Sequence, residues 1–182
     1  MLSAIIAADT EPMLLARTLS SVVPAIPEGV VRDGWIIDSG EDEDIAKIAD
    51  VAGCIRETGE PLELLPQIAQ KCASDWLLIL DSGVVLEEGW WRDVVEFMEV
   101  LPTLKNQEIV AAGFVHASQQ YGAWPRIAEF AVAIASYIPF VSIRPRAVIA
   151  RRQAIIGNSF QAFPPKIRGK SIILRAKAIA PS

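Results

Sequence analysis

The 182-residue sequence has few of the residues that define several protein classes. Two cysteines and one histidine are too few for a disulfide framework or a zinc module. No apolar run reaches the roughly 20 residues of a membrane-spanning helix. Only 11 glycines and 12 prolines are present, which excludes a collagen-like repeat. With 52% hydrophobic and 21% charged residues, the composition indicates one globular domain spanning residues 1–182.

Acidic residues are missing from the C-terminal part of the chain. All 22 lie between Asp9 and Glu129. Residues 144–182 instead contain Arg144, Arg146, Arg151, Arg152, Lys166, Arg168, Lys170, Arg175 and Lys177. This basic C-terminal segment requires an anionic neighbour, which could be the acidic body of the domain, a phosphate-bearing substrate, a membrane surface or nucleic acid. Nucleic acid is disfavoured because the predicted helices carry no basic stripe and aromatic residues make up only 7% of the chain.

Strand-like and helix-like segments alternate over residues 1–115. The predicted strands are Leu2–Ala8, 35–37, 54–56, 76–80 and 109–115, and the predicted helices follow Thr10 and cover 45–52, 62–72 and 90–101. The segment 76–80 is apolar on both faces, which is typical of a central strand covered by helices. This order predicts a three-layer α/β domain with a mainly parallel central sheet.

Three stretches of the sequence carry a resemblance to a known family. They are Leu2–Glu11 with Ala16–Val22, Trp35–Gly40, and Ser74–Asp81 with Glu88–Trp90. In this order they resemble the first two strands and the Asp-x-Asp strand of family 2 glycosyltransferases, which have the GT-A fold. The resemblance is closest over residues 1–92. It implies a nucleotide-binding half at 1–115 and an acceptor-side half at 116–182, which includes the basic C-terminal segment.

The resemblance implies a nucleotide-sugar site formed by Ala8, Glu11, Asp38, Asp81 and Ser82. Ligands of an open parallel sheet bind beyond the carboxyl ends of its strands. The three acids of this set, Glu11, Asp38 and Asp81, are expected there. Carboxylates there accept hydrogen bonds from base N–H and ribose O–H groups. The residues themselves leave other interpretations open. Glu11 also suits the first turn of a helix, and Asp38 also suits a cap of the acidic turn.

Two positions depart from the family pattern. The family's Asp-x-Asp pair holds Mn²⁺ or Mg²⁺, but Gly83 stands at the second position. This leaves Asp81 as a weak metal ligand, a ribose ligand or an ordinary strand-end acid. Where the family places its general base, this chain has Arg144 and Arg146, and arginine cannot act as a base at neutral pH. These two arginines are expected to bind the leaving diphosphate, or else the protein is a lapsed relative.

The function that the resemblance implies is transfer of a sugar from a nucleoside-diphosphate sugar to an unknown hydroxyl acceptor. The alternative is a catalytically lapsed GT-A-like binding or scaffold protein whose basic C-terminal segment meets an anionic partner. The sequence starts without a secretory signal, which predicts a cytoplasmic protein. Five cations of the basic C-terminal segment are expected on an outer surface, namely Lys166, Arg168, Lys170, Arg175 and Lys177. They would allow peripheral attachment of the protein to the anionic inner face of the membrane.

Other candidate residues have a structural and a functional interpretation. His116 is a strand-end histidine or an acid–base group, and Trp90 with Trp91 packs beneath the sheet or stacks on a sugar. Cys54 and Cys72 are expected to be unpaired thiols. An amphipathic helix is predicted at 126–138, where it lies in the core or on a membrane surface.

Overall fold

The computed structural model describes residues 1–8, 11–40, 42–100, 109–117, 146–167 and 170–179. Its strands are β1 (Leu2–Ala8), β2 (Val31–Asp38), β3 (Ile55–Thr58), β4 (Trp76–Asp81), β5 (Val85–Leu86), β6 (Ile109–Ala117), β7 (Ala147–Arg151) and β8 (Lys170–Ile179). Its longer helices are α1 (Pro12–Val22), α2 (Glu43–Val51), α3 (Pro61–Lys71) and α4 (Trp90–Val100), and short helical turns occupy Val23–Ala25 and Arg152–Ile155.

The strands form one sheet in the order β3-β2-β1-β4-β7-β6-β8-β5. The first four strands of this order are parallel, as expected for strands joined by the crossover helices α1, α2 and α3. Strand β7 is antiparallel to both of its neighbours, whereas β6 and β8 are again parallel. The predicted α/β architecture with a mainly parallel sheet is confirmed.

Helices cover both faces of the sheet. One core cluster contains Leu15 of α1, Ile45 of α2 and Trp90 of α4 against one face. The other contains Leu65 of α3 and Ile155 against the opposite face. Residues 77–80 of β4 are fully buried because helices lie on both sides, as the continuous apolar run predicts. The structure is therefore the expected three-layer arrangement.

Local signals explain where the helices begin and end. Pro12 occupies the first turn of α1, where its missing N–H costs no hydrogen bond. The N-cap of α1 is Glu11, one residue later than the predicted Thr10, which lies outside the described residues. Asp42 caps α2 by accepting a hydrogen bond from the Asp44 N–H at 2.8 Å.

A buried polar network fixes the amino ends of β1 and β2. Asp33 accepts hydrogen bonds from the Ser3 hydroxyl and from the indole N–H of Trp35 at 2.9 Å. The Ser3 oxygen in turn accepts the backbone N–H of Ser74 at 3.1 Å. These bonds tie the loop before β4 to the sheet, at the edge opposite to the carboxyl ends of the strands.

The end of the basic C-terminal segment is a strand, which the sequence analysis did not predict. Along β8, Leu174, Ala176 and Ala178 are buried, whereas Arg175 and Lys177 are exposed. This alternation is the two-residue period of a strand with one buried face. The Lys177 ammonium lies 3.7 Å from a carboxylate oxygen of Glu87. The acidic body of the domain therefore supplies an anionic neighbour for part of this segment.

Two sequence predictions fall outside the described residues, namely the amphipathic helix at 126–138 and the position of Arg144. In the part of the chain that the structure describes, no helix is both long and apolar enough to cross a bilayer. Attachment of the basic C-terminal segment to a membrane surface stays a prediction.

Candidate functional site

The strands that carry the predicted acids end at the same edge of the sheet. Asp38 ends β2 and pairs with Ala8 of β1, and Asp81 ends β4 and pairs with Ala7 of β1. Strand β1 lies between them, so their backbones are roughly 10 Å apart at the usual strand spacing. Glu11 stands three residues after the end of β1, where it is the exposed N-cap residue of α1.

The register shows that Asp38 and Asp81 leave opposite faces of the sheet. Asp38 shares the face of Ile36, which packs against α1 and α2, whereas Asp81 shares the face of Ile79, which packs against α3. The backbones of Asp38 and Asp81 lie at one edge of the sheet, as expected, but their side chains do not converge. A single ion between the two carboxylates is not favoured by this register.

The carboxylate of Asp38 is buried and accepts three hydrogen bonds. The residue is 1% exposed. The backbone N–H of Gly40 donates to Oδ1 at 2.9 Å, as in a local Asx turn. The guanidinium of Arg56 donates to Oδ2 from Nε at 3.0 Å and from Nη2 at 2.6 Å. The buried charge of Asp38 is therefore compensated within the protein.

Arg56 is the functional candidate that sequence reasoning missed. It lies on β3 directly opposite Ile36 of β2, so its side chain is on the same face as Asp38 and two residues behind it. The signal in the sequence is that the short strand β3 contains a cation, Arg56, and lies next to β2, which ends in Asp38. The register of the two strands was needed to bring the two side chains together.

The Asp81–Val84 turn is held from three sides by backbone hydrogen bonds. The Ser82 N–H donates to the Ala7 carbonyl at 3.0 Å, and the Gly83 N–H donates to the Leu14 carbonyl at 3.1 Å. The Asp81 N–H donates to the Arg146 carbonyl at 3.1 Å. The end of β4 is therefore fixed to β1, to α1 and to the start of β7.

Glycine at position 83 is favoured by the shape of this turn. Its φ is +82°, in the left-handed region that L side chains rarely adopt. The turn closes with the Val84 N–H donating to the Asp81 carbonyl at 3.3 Å. With glycine at this position, no second carboxylate follows Asp81, and the described residues contain no cluster of three metal-ligating side chains. The residues present do not fit the two-carboxylate metal site that the resemblance implies.

Arg146 lies at the same edge as Asp81. It precedes β7, whose Ala147 pairs with Leu80 of β4, and it is exposed. The hydrogen bond from the Asp81 N–H places its backbone next to the end of β4. Arg146 therefore lies at the edge where the resemblance places the leaving diphosphate. Phosphate binding by its guanidinium stays a prediction.

Trp90 and the two cysteines have structural roles, whereas the role of His116 stays a prediction. Trp90 is 1% exposed, and its indole N–H donates to the Ser21 carbonyl at 2.9 Å, so it packs beneath the sheet and cannot stack on a sugar. Both cysteines are free thiols. Burial, together with the negative charge of Asp33, raises the pKa of Cys72 to about 12. His116 lies within β6.

No protein-family model matches the sequence. No curated protein matches it either. Among solved structures, the chain is similar to the mannosyltransferase PcManGT from Pyrobaculum calidifontis in complex with GDP-Man and Mn²⁺ (TM-score 0.68, 10% identity, covering 98% of this chain and 56% of that one). It is also similar to S. aureus TarS 1-349 (TM-score 0.65, 11% identity, 98% and 60% covered). A third similar structure is glucosyl-3-phosphoglycerate synthase from Mycobacterium tuberculosis (TM-score 0.56, 17% identity, covering 85% of this chain and 57% of that one).

These similarities define the class of the fold. The chain has the GT-A-type fold of glycosyltransferases, which confirms the fold that the resemblance implied. Identities of 10–17% show the fold alone. The chain spans 56–60% of the length of these three structures, so activity, substrates and partners belong to the proposals below.

Proposed function

We propose that this chain is a nucleotide-sugar-dependent glycosyltransferase domain, which binds its donor at the carboxyl edge of the sheet and transfers the sugar to a hydroxyl acceptor. The observation that carries the proposal is that the backbones of Asp38, Asp81 and Arg146, from three separate strands or strand ends, lie at that edge. Proteins of the same fold support it, because they were solved with GDP-Man or with uridine-diphosphate-glucose.

In this proposal the nucleoside lies over the end of β1. Ala8 ends β1 at this edge, and its side chain is buried in the core. Glu11 is exposed at the start of α1 and offers acceptors to ribose hydroxyls. Asp81 and Ser82 lie at the end of β4 at this edge, and Asp38 lies at the end of β2, on the opposite face of the sheet from Asp81.

Arginine takes the place of a metal ion at the diphosphate. Departure of a nucleoside diphosphate places negative charge on the leaving oxygens, and a guanidinium stabilises such oxygens through paired hydrogen bonds. Arg146 is exposed beside Asp81, and Arg144, which lies outside the described residues, is predicted to join it. Proteins of this fold were solved with Mn²⁺, but here only Asp81 stands at the position of the ligand pair.

A second candidate function is nucleotide-sugar binding without transfer. The observation that favours it is Arg146 itself, which occupies the place where the resemblance predicts a carboxylate base. A guanidinium accepts no proton from an acceptor hydroxyl near neutral pH. No residue of this chain is assigned as the base, and the two candidates share one binding site but differ in turnover.

A two-stage experiment tests the proposal. Thermal shift with UDP, GDP, CDP and ADP, each with EDTA or with Mn²⁺, shows whether the site binds a nucleoside diphosphate. Release of nucleoside diphosphate from UDP-glucose or GDP-mannose then measures turnover. Binding with release supports the transferase, and binding without release supports the lapsed relative. If none of the four nucleotides raises Tm at millimolar concentration, both candidate functions are wrong.

A further inference from the structure

Strand β8 leaves most of one of its edges open. On one side it pairs with β6 from Lys170 to Ile179. On its other side it pairs with β5, and that pairing involves only Ala178 and Ile179. Among the described residues, no strand lies beside residues 170–176 on this second side. At the usual rise of a strand, the open edge of β8 is roughly 23 Å long.

The backbone groups of Ile173 and Arg175 point to this open edge. The neighbouring Lys177 shows the direction, because its carbonyl accepts the Glu87 N–H at 2.9 Å and its own N–H donates to the Glu87 carboxylate at 3.2 Å. The N–H and C=O groups of a strand residue point to one side, and this side alternates from each residue to the next. The register shift beside Arg175 adds two residues to β8, which preserves the alternation. Ile173 and Arg175 therefore point to the same side as Lys177.

The exposed face of this edge carries an apolar side chain and two cations. Ile173 is 54% exposed, and Arg175 and Lys177 are exposed on the same face, since alternate residues of a strand share a face. In the ranges that the structure describes, Arg175 forms no ion pair, whereas Lys177 lies 3.7 Å from Glu87. An open strand edge is a template for another strand. A second copy of β8 would bring like charges together, so the face favours an acidic strand.

We propose that the open edge of β8 binds an extended segment of a partner protein, which adds one strand to the sheet and carries a carboxylate opposite Arg175. In antiparallel pairing, which β5 already adopts on this side, the residue two positions after the acid lies opposite Ile173. The partner segment therefore has an acidic residue followed two positions later by an apolar residue. Main-chain hydrogen bonds supply the affinity, and these two side chains supply the specificity. The inference does not depend on the proposed function.

An anionic membrane is the other partner that the cations of β8 attract. A layer of lipid headgroups has no row of alternating donors and acceptors to match the strand edge, whereas an extended peptide has one. The described part of the face has two cations, and Lys177 already lies next to Glu87, which leaves little charge for attachment to lipid. These observations favour a peptide.

Fluorescence anisotropy of a labelled peptide, Thr-Glu-Thr-Ile-Thr-Thr-Thr, with the full chain tests the proposal. The peptide places its Glu opposite Arg175 and its Ile opposite Ile173. We expect replacement of this Glu by Lys to weaken binding about tenfold, because the opposite charges are replaced by like charges. Arg175→Glu should weaken the Glu peptide and strengthen the Lys peptide. The control Arg32→Glu makes the same change of charge at an exposed position near the amino end of β2, and it should alter neither affinity.

N-methylation of the peptide separates strand addition from charge attraction. In the antiparallel pair, the amides of Glu and Ile point to β8, whereas the amide of the Thr between them points away. Methylation of the first two amides should weaken binding about tenfold, and methylation of the third should have little effect. Circular dichroism verifies the fold of each variant. If Arg175→Glu does not fold, Arg175→Gln takes its place, and it should remove the preference for the Glu peptide.

The proposal is wrong if the peptide does not bind at millimolar concentration. In that case, sedimentation with phosphatidylserine vesicles that is lost in Arg175→Glu would assign the face to a membrane. A dimer of the parent chain in sedimentation velocity would instead assign the edge to a second copy. Equal binding of the differently methylated peptides would also overturn the proposal, because it would mean attraction between charges without strand pairing.

Discussion

The backbone N–H of Asp81 donates to the carbonyl of Arg146 at 3.1 Å, which joins the acid at the end of β4 to the first residue before β7. These two positions are where a metal-ligating pair and a general base are expected from the resemblance. In this chain one acid and one cation stand there instead. Under the proposed function, the charge of a bound diphosphate is balanced by protein side chains rather than by a tightly held metal ion.

Arg146→Ala should weaken UDP binding by about tenfold, because a charge-assisted contact to phosphate is lost. The exposure of the residue means that the fold should be unaffected. Arg32→Ala is the matched control, since Arg32 is exposed near the amino end of β2, at the opposite edge of the sheet. Calorimetric Kd values for the two variants provide the comparison. Equal affinities would remove Arg146 from the phosphate site.

Gly83→Asp should create a dependence of nucleotide binding on Mn²⁺ that the parent shows only weakly. The substitution restores the second carboxylate of the pair. Because φ of Gly83 is +82°, the new side chain costs about 1 kcal/mol of stability. Gly83→Asn has the same shape and strain without the charge. A Mn²⁺ effect of the same size in the parent and in both variants would show that the turn is not a metal position.

Removal of Arg56 should cost about 3 kcal/mol of unfolding free energy, since it leaves the buried charge of Asp38 unpaired. Asp38→Asn in the Arg56→Met background should recover part of this loss, because a neutral amide needs less compensation. Urea denaturation of the parent, the two single variants and the double variant measures the effect. The interpretation fails if Arg56→Met is as stable as the parent.

Cys72 should resist thiol reagents in the folded protein. Burial and Asp33 raise its pKa to about 12, so on the order of one molecule in ten thousand carries the reactive thiolate at pH 8. The Cys54→Ser variant leaves Cys72 as the single thiol. Its reaction with an aromatic disulfide should follow global unfolding and accelerate in urea. Rapid labelling of the native variant at pH 8 would contradict the buried position of Cys72.

Sequence reasoning predicted the layers and most element positions because apolar runs and their spacing report burial directly. The β4 run at 77–80 is an example, since only a strand covered on both faces is apolar throughout. The same reasoning placed Asp38 and Asp81 at one edge, since parallel strands end together. It missed their opposite faces, because a shift of one residue in register is invisible in the pattern of each strand.

Two other features depend on partners that the local sequence does not identify. Arg56 meets Asp38 only through the β2–β3 register, with Ile36 opposite Arg56. Strand β8 alternates apolar and polar residues, which is typical of a strand with one buried face. The sequence analysis instead interpreted its positive charge as a sign of an anionic partner and predicted no strand there. Lys177 of β8 pairs with Glu87, which is distant in the sequence but adjacent in the fold.

The most direct test of the central claim is a calorimetric titration of the parent chain with UDP in the presence of EDTA. If a nucleotide-sugar site exists at the carboxyl edge and arginines replace the metal, UDP binds with a one-to-one stoichiometry, and addition of Mn²⁺ changes Kd only a few-fold. If UDP produces no binding in EDTA but binds once Mn²⁺ is present, the arginine-based site is contradicted. If UDP binds under neither condition, and GDP, CDP and ADP do not bind either, the nucleotide-sugar function is contradicted.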